Sequence, residues 1–453
     1  MTLSPADTLP HATPAPPPTS PQRAIAAATI GNALEFYDFI SYAFFAIQIG
    51  HAFFPAQSAY GSLMLSLATF GAGFVTRPFG GLVIGAFSDR VGRRAGMMLS
   101  FTLMGVATVA MAVIPTYARI GLAAPALAIL ARMVMGFALG GEVGPTTAYL
   151  LESAAVRNRG LSVAMQGASQ SVASAAAGLV GFILAAVLSA QALDEYGWRI
   201  AFALGAVTIP FGLWVRRSLP ETLHAVEPVP STEVTPSPLG GSTRLEVAIA
   251  NRRIIILGLA VLAAGTIRTY VANYMTTFAQ DTLHMAKGPA FIVTVAGSVA
   301  MLFGALVGGG LSDRIGRRSV MIWPNLATLL MTYPVFLWIV TVRSPLALLT
   351  GVSIMGFVSS IASGGFYVAL AESLPKPIRG MAFSTIYAIS IALFGGTCQL
   401  VIQWLIHRTG NPMSPAWYLL AATTMGQIAM QLIPESAPVR LAVAAENKLI
   451  THG

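Results

Sequence analysis

Long apolar runs alternate with short polar loops along nearly the whole chain. Twelve of the runs are long enough to cross a hydrocarbon core about 30 Å thick, which takes roughly 20 apolar residues in a helix. They lie near 25–51, 61–88, 96–116, 122–151, 160–190, 198–215, 252–280, 288–311, 319–341, 345–371, 380–406 and 415–433. The pattern predicts an all-α integral membrane protein of twelve transmembrane helices. Hydrophobicity collapses between the sixth and seventh runs, where Pro228, Pro230, Pro236, Pro238 and Gly240-Gly241 mark a flexible linker. Ahead of the first run, Pro5, Pro10, Pro14, Pro16, Pro17, Pro18 and Pro21 leave no apolar core for a signal peptide and favour a disordered tail. The organisation expected is a tail over 1–23, a six-helix bundle over 24–217, a linker over 218–251, a second bundle over 252–434 and a tail over 435–453.

The two bundles echo each other. Gly85-Ala-Phe-Ser-Asp89-Arg90-Val-Gly92-Arg93-Arg94 returns as Gly309-Gly-Leu-Ser-Asp313-Arg314-Ile-Gly316-Arg317-Arg318, each copy between two apolar runs. Glu152, seven residues before Arg159-Gly160, returns as Glu372 before Arg379-Gly380. Repeats in register over six helices each imply two pseudo-symmetric halves.

Composition sharpens this picture. The chain of 453 residues is 55% hydrophobic and 9% charged, with a mean hydropathy of +0.72. Soluble domains carry about 25% charged residues, so this chain needs lipid as solvent. A net charge of +9 suggests nucleic acid only until its distribution is read. If the first run leaves the cytoplasm, one set of loops holds fifteen of the 26 Lys and Arg, among them Arg90, Arg93, Arg94, Arg314, Arg317 and Arg318. The opposite loops hold only Arg119, Arg199, Lys287, Arg343 and Arg408. This is the positive-inside bias, and it puts both termini in the cytoplasm. Cys398 is the sole cysteine, so no disulfide or thiolate metal site is expected. No nucleophile–base set or phosphate loop marks an enzyme, and no cofactor is implied.

Ionisable groups deep in lipid cost several kcal/mol unless they are paired or used. Six qualify: Glu35 and Asp38 in the first helix, Arg77 in the second, Arg132 and Glu142 in the fourth, and Arg268 in the seventh. Three cations and three carboxylates could form a fully paired resting state. Glu35 and Asp38 are three apart and share a helical face, which favours one of them carrying a proton. Pairing with Arg77 or Arg132 to hold helices together is the alternative. The six histidines all lie in tails, loops or helix ends, so carboxylates must carry any coupled proton. Arg77, next to Pro78, and Arg268, with no acid nearby, are the candidates to fork onto an anionic substrate. Tyr270, Asn273, Tyr274 and Thr277 follow Arg268 at helical spacing. Gln166 and Gln170 would be costly against lipid and are expected to face a central cavity, with Tyr387 and Gln399 as further candidates. Asp89 and Asp313 are expected beside the N-termini of the third and ninth helices, where the dipole favours a carboxylate.

The doubled loop, the six-plus-six layout and Arg217-Ser-Leu-Pro-Glu-Thr222 resemble the major facilitator superfamily. Gly31-Asn32-Ala-Leu-Glu35-Phe-Tyr37-Asp38-Phe39, Arg77-Pro78-Phe-Gly80-Gly81 and Gly140-Gly141-Glu142 resemble its metabolite:proton symporter branch, and Tyr37 joins the substrate-facing set on that ground. The resemblance spans roughly 24–434. It implies a monomeric carrier in a bacterial inner membrane that takes up an organic acid with protons by alternating access. Citrate or a related di- or tricarboxylate is the first expectation; proline, betaine or a monocarboxylate such as shikimate is the alternative. It also implies that Asp89, Arg90, Arg93, Arg94, Asp313, Arg314, Arg317 and Arg318, with Glu152 and Glu372, latch a gate. Residues 160–190 lack the proline of the superfamily's antiporters, which argues against an exporter, and no soluble output domain marks a sensor. Tyr387-Ala-Ile-Ser390 stands where the branch often shows Asn, so the substrate subgroup stays open.

Overall fold

The computed structural model describes residues 21–91, 93–140, 150, 154–217, 246, 249–374, 379–437 and 440. Glu142, Glu152, most of the expected linker and most of both tails lie outside them, as do the side chains of Asp89, Arg90, Arg93 and Arg94. Every regular element among the described residues is helical.

Among the described residues, the long helices, grouped where one segment runs into the next and separated by short turns such as Tyr117–Ile120, form twelve rods. These are α1 (Pro21–Phe44, continued by Ala46–Phe53), α2 (Ala59–Val75, continued by Arg77–Val91), α3 (Arg93–Val113), α4 (Ala123–Gly140), α5 (Arg159–Val187) and α6 (Trp198–Arg217). The second half repeats the set. It comprises α7 (Arg252–Thr277, with a π turn Phe278–Thr282), α8 (Lys287–Ile315), α9 (Arg317–Val342), α10 (Pro345–Ser373), α11 (Arg379–Ser390, a π turn Ile391–Gly395, then Gly396–Thr409) and α12 (Ser414–Leu432). Eight described helices are long and apolar enough to span a membrane by themselves. Polar α1, with Asn32, Glu35 and Asp38, is not among them, although its inner surface is fully buried.

Local chemistry sets the ends. Ser58 accepts the Gly61 N–H at 3.1 Å and Ser344 accepts that of Ala347 at 3.1 Å, capping α2 and α10. Between α8 and α9 the chain turns at Gly316 with φ +102°, a backbone conformation that explains glycine at this point of the repeated loop.

Glycine also sets the packing. A Cβ at Gly80, Gly136 or Gly140 would strike a backbone carbonyl across the α2–α4 contact, and one at Gly304, Gly308 or Gly364 would strike backbone across α8–α10. The two halves thus repeat one device, a backbone-to-backbone approach that only missing side chains allow. Within α2, Gly80 makes the tightest described approach. The halves meet chiefly where α8 lies along α5.

Candidate functional site

A cavity lies between the halves. Phe36, Gln170, Ser171 and Ser174 line it from α1 and α5; Arg268, Tyr270 and Asn273 line it from α7, and Tyr367 and Tyr387 from α10 and α11. The rest of its polar lining is largely hydroxyl, including Thr266, Thr269, Ser298, Ser359 and Ser363. Arg268 is the one charged side chain among the described lining residues. Gln170 and Tyr387 approach each other across the seam. Beside Tyr387, the π turn of α11 brings Ile391 into the wall; such turns break helical register and collect at functional sites.

Arg268 is 8% exposed. The nearest acids in sequence are Glu246 and Asp281, and its partner is a neutral one: Nη1 donates to Oδ1 of Asn325 on α9 at 2.6 Å. Asn325 is held in turn from α12, where its Nδ2 donates to Gln427 Oε1 at 2.7 Å and to the Thr423 carbonyl at 3.4 Å.

The first half treats its charges differently. Arg77 is sandwiched by Phe39 and Phe74, its guanidinium carbon 4.4 Å from each ring centre. Arg77 is not among the described lining residues, but it lies within hydrogen-bond reach of Tyr270, which is. Arg132 is 0% exposed, stacks on Phe39, Tyr42 and Phe70 at 4.2, 4.6 and 5.0 Å, and donates to the Phe39 carbonyl at 3.3 Å. Its Nε and Nη2 and the same atoms of Arg77 find no hydrogen-bond acceptor.

Asp38 turns away from both arginines: Oδ2 accepts from Thr108 on α3 at 2.9 Å, and Oδ1 lies against Gly205 on α6 without a hydrogen-bond donor. The fully paired arrangement of three acids and three bases is therefore not the one formed. A guanidinium over a ring gains up to about 2 kcal/mol when desolvated, against several kcal/mol for burying an ion. Packing alone does not repay the burial of these groups.

Other expected residues fall elsewhere. Tyr37 donates to the Ala201 carbonyl at 3.0 Å, tying α1 to α6. Glu35 and Gln166 are buried outside the lining, and the Gln166 carbonyl accepts from Ser169 at 2.7 Å. Tyr274 donates to Gln403, whose Nε2 donates to Asp281 at 2.8 Å, so that tyrosine serves an α7–α11 link. Gln399 is 1% exposed with neither amide atom hydrogen-bonded. Sequence reasoning missed Asn325, Gln427 and the hydroxyl wall. Ser and Thr satisfy themselves on preceding carbonyls in any helix, so their presence gives no signal of a cavity.

Both ends of the seam are bridged. At the end carrying the second repeat, Asp313 Oδ1 and Oδ2 accept the Gly160 and Leu161 N–H groups at 2.8 and 3.0 Å. The carboxylate thus caps α5 in the other half, not α9 as the sequence suggests. The N-terminus of α9 is taken by Glu435, which accepts from the Arg317 and Arg318 N–H groups at 2.9 and 3.1 Å. Arg317 donates to Asp313 at 2.7 Å and to both Glu372 oxygens at 3.3 Å, and Ser436 donates to Glu372 at 2.8 Å. Arg314 is exposed. At the opposite end Lys287 pairs with Asp194 at 2.7 Å, Gln48 donates to Gln280 at 3.4 Å, and Tyr60 stacks on His407.

Comparisons with known proteins place this architecture. Citrate-proton symporters of Salmonella typhi and Klebsiella pneumoniae are 38% and 35% identical to it, over 94% and 93% of this chain and 96% and 94% of theirs. The alpha-ketoglutarate permease of Escherichia coli strain K12 is 33% identical over 92% of this chain and 95% of its own. The crystal structure of a D-xylose-proton symporter superposes with a TM-score of 0.69 at 18% identity, covering 93% of this chain and 98% of the other. The family model for the Major Facilitator Superfamily matches residues 28–392, and the chain belongs to that superfamily.

Proposed function

We propose that the protein is a proton-coupled symporter that imports a carboxylated metabolite, citrate or a related di- or tricarboxylate, by alternating access. The observation that carries this reading is Arg268, the lone charge among the described residues that line a hydroxyl-rich cavity between the halves. A guanidinium held by a neutral amide retains its charge for a substrate carboxylate. Tyr270, Asn273, Tyr387 and Gln170 would hydrogen-bond the remaining oxygens. The similarity to citrate-proton symporters supports the choice of acid. In this reading Asp38 carries the proton, since it is 3% exposed and faces a hydroxyl and a glycine rather than a cation. Arg132 and Arg77, without acceptors for two nitrogens each, would draw the carboxylate across when the proton leaves. The Asp313–Arg317–Glu372 cluster would latch the cytoplasmic gate, both termini facing that side of a bacterial inner membrane, as the distribution of Lys and Arg supports.

A zwitterionic osmolyte is the second reading. One guanidinium matches one carboxylate, and Phe36, Phe366, Tyr270 and Tyr387 offer faces to an ammonium. A glycine betaine/proline/ectoine/pipecolic acid transporter of Dickeya dadantii is 29% identical. Uptake by proteoliposomes of labelled citrate, 2-oxoglutarate and proline, with and without an inward proton gradient, separates the readings. Proline uptake without citrate uptake would sink the first, and gradient-independent citrate uptake would sink the coupling.

A further inference from the structure

Behind the cavity wall, Asn325 is fully buried at 0% exposed and fixed on two sides. Its amide nitrogen is committed to Gln427 and the Thr423 carbonyl on α12, which turns its oxygen toward α7 and onto Arg268 at 2.6 Å. That is the one hydrogen bond Arg268 makes among the described residues. A carboxylate at the same place would meet the guanidinium as an ion pair. An apolar side chain would leave it unaimed. The amide alone fixes the group and leaves its charge intact.

We infer that Asn325 is a positioning residue that sets the charge preference of the cavity. By holding Arg268 through a neutral acceptor it leaves one uncompensated positive charge facing the substrate, so an anion is favoured over a neutral solute. The Asn325–Gln427 amide pair transmits the constraint from α12, and no residue of this relay needs to touch the substrate. This inference rests on Arg268 being the anion contact.

The test is equilibrium binding of labelled citrate to the purified full chain in liposomes, with the thermal unfolding midpoint measured on the same samples. Asn325→Asp is expected to weaken citrate binding by about tenfold to a hundredfold, the worth of a hydrogen bond to a charged group, whatever the loss of its amide donor to Gln427 and Thr423 does to the midpoint. A purely structural Asn325 would lower the midpoint and leave citrate affinity unchanged, and that result overturns the inference. Gln427→Glu, which places the carboxylate one amide further back, is expected to weaken citrate by about threefold, since coupling falls with distance; it decides the matter if Asn325→Asp does not fold. Arg268→Gln separates the two levels. If it binds citrate normally, the anion-contact reading fails and takes this inference with it. If it loses citrate while Asn325→Asp and Gln427→Glu bind as the parent does, the inference alone fails.

Discussion

Arg132 and Arg268 are both buried deep in the membrane span, at 0% and 8% exposed, and neither donates to a carboxylate among the described residues. Their surroundings differ in kind. Arg132 is wrapped by Phe39, Tyr42 and Phe70, whose faces stabilise a cation without fixing a direction. Arg268 is aimed by a single amide into a cavity of hydroxyls. The first arrangement suits a charge whose partner comes and goes within the protein, the second a charge whose partner arrives from outside. Pseudo-symmetry in the backbone is thus compatible with a division of labour between the halves, the first for the proton and the second for the substrate.

The largest effect expected from breaking this comparison is at Arg268. Replacing it by Gln should cost citrate binding about 3 kcal/mol, on the order of a hundredfold, because a buried charged hydrogen bond is lost; a dissociation constant close to the parent's would refute the assignment. Asp38→Asn should spare binding and abolish coupling. The parent should accumulate citrate about tenfold per co-transported proton for each pH unit of inward gradient. The variant should catalyse citrate counterflow but no uphill accumulation, and normal accumulation would move the proton to another group. Gly205→Ala comes next. Its methyl would collide with Asp38 Oδ1, at a cost of about 1–3 kcal/mol for overpacking. Gly167→Ala, where a Cβ meets nothing within 4 Å, should leave stability within about 0.5 kcal/mol. Equal unfolding midpoints for the two variants would show that Asp38 is free to move aside.

Membrane class, twelve spans and two halves were legible because each depends on summed hydrophobicity and repeated motifs, which need no knowledge of facing. Arg268 stood out for a related reason: a deep cation with no acid near it. The faces of helices were not legible. A span apolar on all sides has no polar stripe to show which side meets its neighbours, so the sequence does not show that Arg77 stacks between Phe39 and Phe74 and that its neighbour Tyr270 lines the cavity. Asp313 escaped similarly. Its spacing points to the helix it precedes, but its two acceptors are spent on α5, a partner more than 150 residues away. Asn325 gave no sign at all, since a single Asn beside Pro324 in an apolar run looks like a tolerated polar residue.

The two ends of the seam offer a finer version of the same contrast. Asp313 is held by two backbone N–H groups and a buried Arg317, whereas Lys287 and Asp194 are 27% and 36% exposed and share one contact. Charge-assisted hydrogen bonds are about twice as strong as neutral ones, and exposed pairs contribute only about 0.2–1 kcal/mol. Asp313→Asn should therefore shift the populations of joined and parted α5 and α8 by about fivefold, the equivalent of roughly 1 kcal/mol. Lys287→Gln should shift those at the other end by less. Spin labels at Arg157 and Ile315, both exposed and one on each half at the Asp313 end, read the first equilibrium directly as a loss of the short distance. If the short-distance fraction is unchanged in Asp313→Asn, the α5 cap is a passive contact, and the bridge holding that end must be sought in the Arg317–Glu372 pair.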